Sequence, residues 1–488
     1  MAEGRVAKNT AYLLSASVGQ KILAFIYFTI VARSVGVEGT GRYFVAVSFT
    51  TIFSIFVDLG LANVLVREVA KVPENAQKLL ANVLGLKAVL GVLTVAAVLL
   101  VSRLIGYPAE TRLLITVAAG VMVLDSIHLV LYAVMRGFQN LRYEAIGVVT
   151  GQAVIITTGI VFVLLKLPLV SLVIALLCGS IWNVAWAAWI LNRQFGVKPI
   201  LRFDEAVIRF FGQVALPFAF AGIFSRVYSY IDSVMLSRLV SEEAVGYYSV
   251  GYKLTFAFQF LPMAFAAAIY PAMSEYYVKD RAKLAAVFMT AIKYLLLVVV
   301  PLTVGTFVLA GPIIHLVYGP AYDKSVLPLQ ILIFSLVFAF LYWPCGSLLN
   351  ACDRQSQNTT VMGVTMIGNI ILNVFLIPRF EAVGAAWSAL IGNAALFGLA
   401  FYFASRVVVI DKQRLLSIIG RIAIAGAAMG IIVELLDGAA SLAFMVPLGA
   451  LVYAALVFQL RIITWTEAKN IMNLFLRRGR GGVSDIVS

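Results

Sequence analysis

Charge is what this sequence lacks most. Asp, Glu, Lys and Arg make up 12% of its 488 residues, about half of the roughly 25% found in soluble domains. That is too little to cover a water-soluble globule. Cysteine is scarce as well, with 3 in the chain. Cys178, Cys345 and Cys352 fall in or at the end of apolar stretches, and the last two share one stretch about 10 Å apart by helical rise, beyond disulfide reach. No disulfide framework is expected. With only His128 and His315 as imidazoles, no structural zinc site is expected either. No G-x-x-x-x-G-K-[ST] phosphate loop occurs, so ATP hydrolysis by that route is excluded. The first apolar stretch is polar in places and lacks a small-residue cleavage site, so it reads as a retained span and not a signal peptide.

What the chain has is hydrophobicity, at 62%. Apolar stretches run at 10–32, 43–66, 79–101, 113–136, 145–165, 169–191, 210–237, 247–272, 285–309, 326–350, 358–378, 383–404, 417–436 and 441–460. Each is long enough to cross a bilayer. This predicts an all-α polytopic membrane protein of fourteen transmembrane helices, with no stretch of about 100 residues left for a soluble catalytic domain. The net charge of +14 then reads as loop charge that sets orientation, not as a nucleic-acid surface. Lys and Arg fall on one set of loops roughly three times as often as on the other, which predicts cytoplasmic termini for a multi-pass protein of the cytoplasmic (inner) membrane. After the last stretch, Thr464 and Glu467 have capping-box spacing. Trp465, Ala468, Met472 and Phe475 share one helical face ahead of Arg477, Arg478 and Arg480. The tail at 461–488 reads either as an interfacial amphipathic helix near anionic lipid or as a solvated basic segment.

A repeat is visible. A constant offset of 205 pairs Arg33 with Arg238, Glu38 with Glu243, Gly41 with Gly246, Tyr43 with Tyr248 and, deep in the first and seventh spans, Lys21 with Arg226. An offset of 206 pairs Lys87 with Lys293. Two pseudo-symmetric six-helix lobes are expected, at 1–192 and 210–405, joined by a cytoplasmic linker at 193–209. Two further helices follow at 406–460. Parallel lobes related by an axis along the membrane normal suit alternating access around a midplane site. Pro217, Pro262, Pro301 and Pro344 lie within spans, where they can kink helices. The Gly41 and Gly246 segments are read as turns.

Ionisable groups inside the bilayer cost about 2.5–3.5 kcal/mol each on insertion scales, so they need a wet cavity or a partner. Lys21 and Arg226 either face each other across a cationic cavity or enter an internal ion pair with Asp58. Asp232 is open between a cavity and a structural role. Asp125, His128, Tyr132 and Arg136 form one polar stripe at i, i+3, i+7 and i+11. The stripe serves either interhelix hydrogen bonding or a cavity wall and proton relay. Lys87 and Lys293 lie about two turns from span ends. They read as snorkelling lysines, so Lys87→Gln is expected to be mild.

The ordered set of Asn9 with ARSVGVEGTGRYF (32–44), DLGL (58–61) with Arg67 and Glu68, Pro217, Asp232 and VGYYSVGYKL (245–254) resembles the oligosaccharide (O-antigen-type) flippases. These belong to the multidrug/oligosaccharidyl-lipid/polysaccharide exporter superfamily. YPAMS (270–274), YGPAYDKSV (318–326), LLNACDR (348–354) and NIILNVFLIPRFEAVGAAW (369–387) carry the resemblance to nearly the whole chain. It implies two lobes around a central cavity, with Lys21 and Arg226 receiving the head group of a polyprenyl (pyro)phosphate-linked oligosaccharide that crosses from the cytoplasmic to the outer leaflet. It also implies membrane lipids as surroundings, and a glycan polymerase or glycosyltransferases of the same pathway as partners. No cofactor is implied; proton or sodium coupling, or consumption of the product, supplies the work. Asp353 and Glu381 stand where the family has glycine, so those two turns are expected to differ. The arginine-rich first span of peptidoglycan-precursor flippases is missing, which argues against lipid II. Two other classes compete: a cation-coupled multidrug exporter of the same superfamily, and a membrane glycan polymerase or ligase. The paired deep cations disfavour the first. The second would need a large acidic outer loop, and the longest one, at about 310–325, offers only His315 and Asp323.

Overall fold

The computed structural model describes residues 2–436, 441–465 and 467, with side chains for these outside 2–15 and 213–218. The side chain of Pro217 and the tail face through Ala468, Met472 and Phe475 lie outside the described residues. Among the described residues the fold is helical throughout, with no strand. The helices are α1 (Ala2–Asp58), α2 (Leu61–Lys71), α3 (Ala76–Leu104), α4 (Ala109–Gly137), α5 (Arg142–Leu164), α6 (Val170–Phe195), α7 (Glu205–Leu239), α8 (Glu242–Ala257), α9 (Phe260–Lys279), α10 (Arg281–Val308), α11 (Ala310–Val317), α12 (Val326–Ala351), α13 (Gln355–Ala404), α14 (Lys412–Leu435) and α15 (Leu442–Gln459).

Among the described residues, eleven helical segments are long and apolar enough to cross a membrane. The protein is multi-pass. Of the three spans by which that count falls short of the expected fourteen, two are lost to helix continuity, and the third is the seventh stretch, in α7, which is not among the eleven. The first two apolar stretches run on through α1, broken at Gly36 (φ 70, ψ −175). The eleventh and twelfth run on through α13, broken at Glu381 (φ 53, ψ −129). Other stretches are divided instead. Leu59 (φ 45) and Gly60 (φ 78) end α1 and start α2. The eighth stretch parts into α8 and α9, with Pro262 in the first turn of α9, where its missing N–H costs nothing.

Asp353 (φ 58) and Glu381 both hold positive φ. The expectation that these turns differ from a glycine turn is therefore corrected: the glycine conformation is kept by residues that carry a Cβ. For Glu381, a φ/ψ pair in glycine territory stores about 1–3 kcal/mol. Glycine would add about 0.5–1 kcal/mol of unfolded-chain entropy. Glu381→Gly is therefore expected to stabilise by about 1 kcal/mol on these figures, raising the thermal unfolding midpoint in detergent. A lowered midpoint would show that the backbone there is unstrained.

The chain forms two compact units, Met1–Ser249 and Val250–Ser488. In the first, α1 packs along α3, α4, α5 and α7, while α4 packs on α2, α3 and α6. Its core gathers Leu65, Leu80, Val130, Val134 and Leu191 from α2, α3, α4 and α6. The segment between α6 and α7 is bonded to the start of α3. The Arg202 amide donates to Ala81 O at 3.0 Å, and the Asp204 amide donates to Asn82 Oδ1 at 2.6 Å. Asp204 also caps α7, accepting from Ala206 N and Val207 N. Lys78 Nζ, 2.9 Å away, holds the Asp204 carboxyl below the usual carboxylate range.

In the second unit, α12 packs on α9, α10 and α13, and α14 packs on α10 and α15. Its core includes Leu295, Val299, Ile333, Leu336 and Phe340. The capping box at its end is formed: Glu467 N donates to Thr464 Oγ1 at 3.2 Å, and Thr464 N donates to Glu467 Oε2 at 3.0 Å. Lys293 Nζ reaches the same carboxylate, 3.2 Å from Oε1 and 3.3 Å from Oε2. The Lys293 ammonium is thus ion-paired with Glu467.

Candidate functional site

The first unit encloses a cavity of about 440 Å³ between α1, α4, α5, α6 and α7. Gln20 comes from the first arm of α1, and Thr50, Thr51, Ser54 and Asp58 from the second. Asp125, Ser126 and His128 come from α4, Gln152 from α5, Ser180 and Asn183 from α6, and Arg226 from α7. Thr50, Ser54 and Asp58 recur every four residues, so helical geometry puts them on one face. Each hydroxyl donates to its own helix: Thr50 to Ala46 O at 2.9 Å, Thr51 to Val47 O at 2.6 Å and Ser54 to Thr51 O at 2.8 Å. Their protons are spent on backbone, and their oxygen lone pairs remain available to accept.

Asp58 is held by Lys87. The Lys87 side chain is 0% exposed, and its Nζ donates to Asp58 Oδ1 at 2.7 Å, to Ser126 O at 3.0 Å and to Ser126 Oγ at 2.5 Å. All three ammonium protons are placed. Lys87 does not snorkel; a buried ion pair satisfies it, so the premise for expecting a mild substitution falls away.

The α4 stripe divides along its length. Asp125, whose side chain is 53% exposed, lines the cavity and accepts from Ser180 Oγ at 2.5 Å. His128 Nδ1 is 3.5 Å from Asp125 Oδ1, too far for a good hydrogen bond. The His128 ring stands edge-on to Tyr132 at 5.5 Å between centroids. Lower on the stripe, Tyr132 OH donates to Asn183 Oδ1 at 2.8 Å. Arg136 grips the buried Glu144 of α5 with two guanidinium nitrogens, Nε to Oε2 at 2.8 Å and a second bond to Oε1.

Asp58, Asp125, His128 and Arg226 thus line one cavity. Lys21, half-buried and next in sequence to Gln20, is not among the lining residues, and neither is Arg136. Asp232 is buried, off the wall, and accepts from Tyr248 OH at 2.9 Å. Sequence reasoning passes over Gln20, Gln152, Ser180 and Asn183, each a lone uncharged polar residue in an apolar stretch. The four-residue recurrence from Thr50 to Asp58 was the available signal.

The family profile described as "Polysaccharide biosynthesis protein" matches residues 6–277, and the MatE profile matches 217–375. The chain is 22% identical to the "Probable low-salt glycan biosynthesis flippase Agl15" of Haloferax volcanii, over 84% of this chain and 85% of that protein. It is 30% identical to the "Probable flippase AglR" of the same organism, over 34% of this chain and 35% of that one. Its fold is similar to that of the lipid II flippase MurJ in an inward closed conformation, with a TM-score of 0.75 and 17% identity over 91% of this chain and 97% of that chain. The profile at 6–277 spans more than half of the sequence, and the chain belongs to the polysaccharide biosynthesis protein family.

Proposed function

We propose that this protein is a flippase, a transporter and not an enzyme. It moves a polyprenyl (pyro)phosphate-linked oligosaccharide from the cytoplasmic to the outer leaflet by alternating access, for surface-glycan assembly. The observation that carries this reading is a polar cavity with a guanidinium on its wall, built inside a bundle of apolar helices. Such a cavity is costly unless it hosts a polar group in transit. The names of the glycan-flippase relatives support the same reading. Arg226 on the wall, and Lys21 beside Gln20, are the cations assigned to the anionic head group. A guanidinium can take phosphate oxygens in pairs.

In this reading the lobes at 1–192 and 210–405 rock about the linker at 193–209, and the helices at 406–460 are an addition to that pair. The excess of basic residues on one set of loops supports cytoplasmic termini and a place in the cytoplasmic membrane. A proton or sodium gradient drives the cycle, and a glycan polymerase or glycosyltransferases supply and consume the substrate.

Arg226→Gln is expected to lower surface-glycan display at least about tenfold, the loss of one charge-assisted phosphate contact, with the amount of protein in the membrane unchanged. Lys21→Gln is expected to act in the same direction. Wild-type display from the Arg226 variant would remove the cationic contact from the mechanism. A drug exporter is the second reading, favoured by the MatE match and by Asp125 in the cavity. Against it, Lys87 neutralises Asp58 and Arg226 repels cations. Ethidium efflux by the same cells, with glycan display indifferent to deletion of the protein, would establish that second reading.

A further inference from the structure

We infer that the cavity of the first unit is a saccharide subsite. It takes one or two sugar rings next to the phosphate and selects against sugars that carry a carboxylate. This rests on the flippase reading and names the part of the substrate that this wall recognises.

The inference follows from where the protons are. The hydroxyl protons of Thr50, Thr51 and Ser54 go to backbone carbonyls. Ser180 spends its proton on Asp125, and Lys87 spends all three on Asp58 and Ser126. The lining therefore offers many acceptor lone pairs beside a set of amide and guanidinium donors. Its donors are the Gln20 and Gln152 amides, the guanidinium of Arg226, the Ser126 hydroxyl, the second N–H of the Asn183 amide and, depending on tautomer, His128. A ligand that complements such a lining brings donors as well as acceptors, as a pyranose does with several hydroxyls.

The charges on the wall are unequal. Lys87 neutralises Asp58, while Asp125 keeps about half of its side-chain surface open, beside a histidine 3.5 Å away. A second carboxylate brought beside an ionised Asp125 meets like-charge repulsion. Arg226 supplies the opposite sign for phosphate in the same cavity. At about 440 Å³, the cavity is at the small end of ligand pockets, which run from about 300 to 1,000 Å³. Sugars beyond the second therefore lie outside it, and selection acts on the residues nearest the lipid.

The test uses the full-length protein in proteoliposomes with three probes: polyprenyl pyrophosphate bearing a single glucose, a single glucuronic acid, or no sugar. The wild type is expected to flip the glucosyl probe at least about tenfold faster than the glucuronyl probe, the scale of one unfavourable charge contact. Asp125→Asn keeps an oxygen for Ser180 and is expected to bring that ratio close to one. Gln152→Glu adds a carboxylate and is expected to widen it. A wild-type ratio near one, or a ratio that neither substitution moves, overturns the subsite while leaving the flippase standing. Failure of the wild type to move any of the three probes overturns the flippase reading itself. Thermal unfolding of each variant, with its rate on the sugarless probe, separates a lost fold from a changed preference.

Discussion

Asp58→Asn is expected to cost about 3–5 kcal/mol of stability, the scale for breaking a buried ion pair from one side. The reason is an asymmetry between the partners. Lys87 is 0% exposed, whereas the Asp58 side chain is 20% exposed and lines the cavity. Asparagine keeps an oxygen for Lys87 but removes the negative charge, so a fully buried ammonium is left with neutral acceptors and no counter-ion. Removing the ammonium leaves a carboxylate that cavity water can still reach. Lys87→Met is therefore expected to cost less, about 1–3 kcal/mol, the desolvation penalty of one unsatisfied polar group. The double variant Asp58→Asn/Lys87→Met leaves neither charge stranded and is expected to recover about 2–3 kcal/mol relative to additivity. Denaturation of the four proteins of this cycle in detergent micelles measures the coupling. Additive losses would mean that the two groups do not depend on each other, and the wall would need another explanation for a charged Asp58.

That pair also shows how far sequence reasoning reaches. Both residues are recognisable as intramembrane charges, because an ionisable group in an apolar stretch stands out whatever it touches. Their pairing is not recognisable, since it depends on the end of α1 meeting α3, and linear spacing carries no record of that meeting. The α4 stripe is legible for the same reason that any helical face is, through its period. What splits it is illegible: Ser180 and Asn183 on α6 and Glu144 on α5 decide which members are spent on bonds and which line the cavity. The fold class follows from composition alone. The breaks are harder to see, because Glu381 adopts a glycine conformation without being glycine. Gly41 and Gly246, read as turns, lie inside α1 and α8. They are small for the sake of close approach, not chain reversal.

Those two glycines carry the second large effect. Gly41→Ala and Gly246→Ala are each expected to open the corner where α1 meets α8 and to reduce glycan display at least about tenfold, the loss of a transition-state or conformational contact of ordinary size. A Cβ on Gly41 would overlap the carbonyl oxygen of Glu242 and come within 2.9 Å of Gly246 N. A Cβ on Gly246 would overlap the carbonyl oxygen of Val37 and come within 2.8 Å of Val37 Cγ1. These obstacles are mostly backbone, so no rotamer change relieves them. The offset of 205 that maps Gly41 onto Gly246 also maps Val37 onto Glu242. The two contacts are one contact repeated with the partners exchanged, the signature of a local two-fold relation.

Side chains reinforce that corner. Arg42 reaches Glu242 at 2.9 Å and Glu38 at 2.6 Å, and it also pairs with Glu110. Thr111 bonds Glu242, and Tyr107 OH and Ser237 Oγ are 3.0 Å apart. Ser237 is 8% exposed. Ser237→Cys, in a background without Cys178, Cys345 and Cys352, is therefore expected to react slowly with an impermeant maleimide. Adding Gly41→Ala or Gly246→Ala is expected to speed that reaction about five- to thirtyfold, as local opening becomes roughly 1–2 kcal/mol easier. Combining both glycine substitutions is expected to add little to either alone, because the first already separates the shared patch. Gly368→Ala, where a Cβ meets nothing within 4 Å, serves as the control and should leave both readouts unchanged. If the control and the corner variants label alike, the close approach of Gly41 and Gly246 does not hold this corner shut.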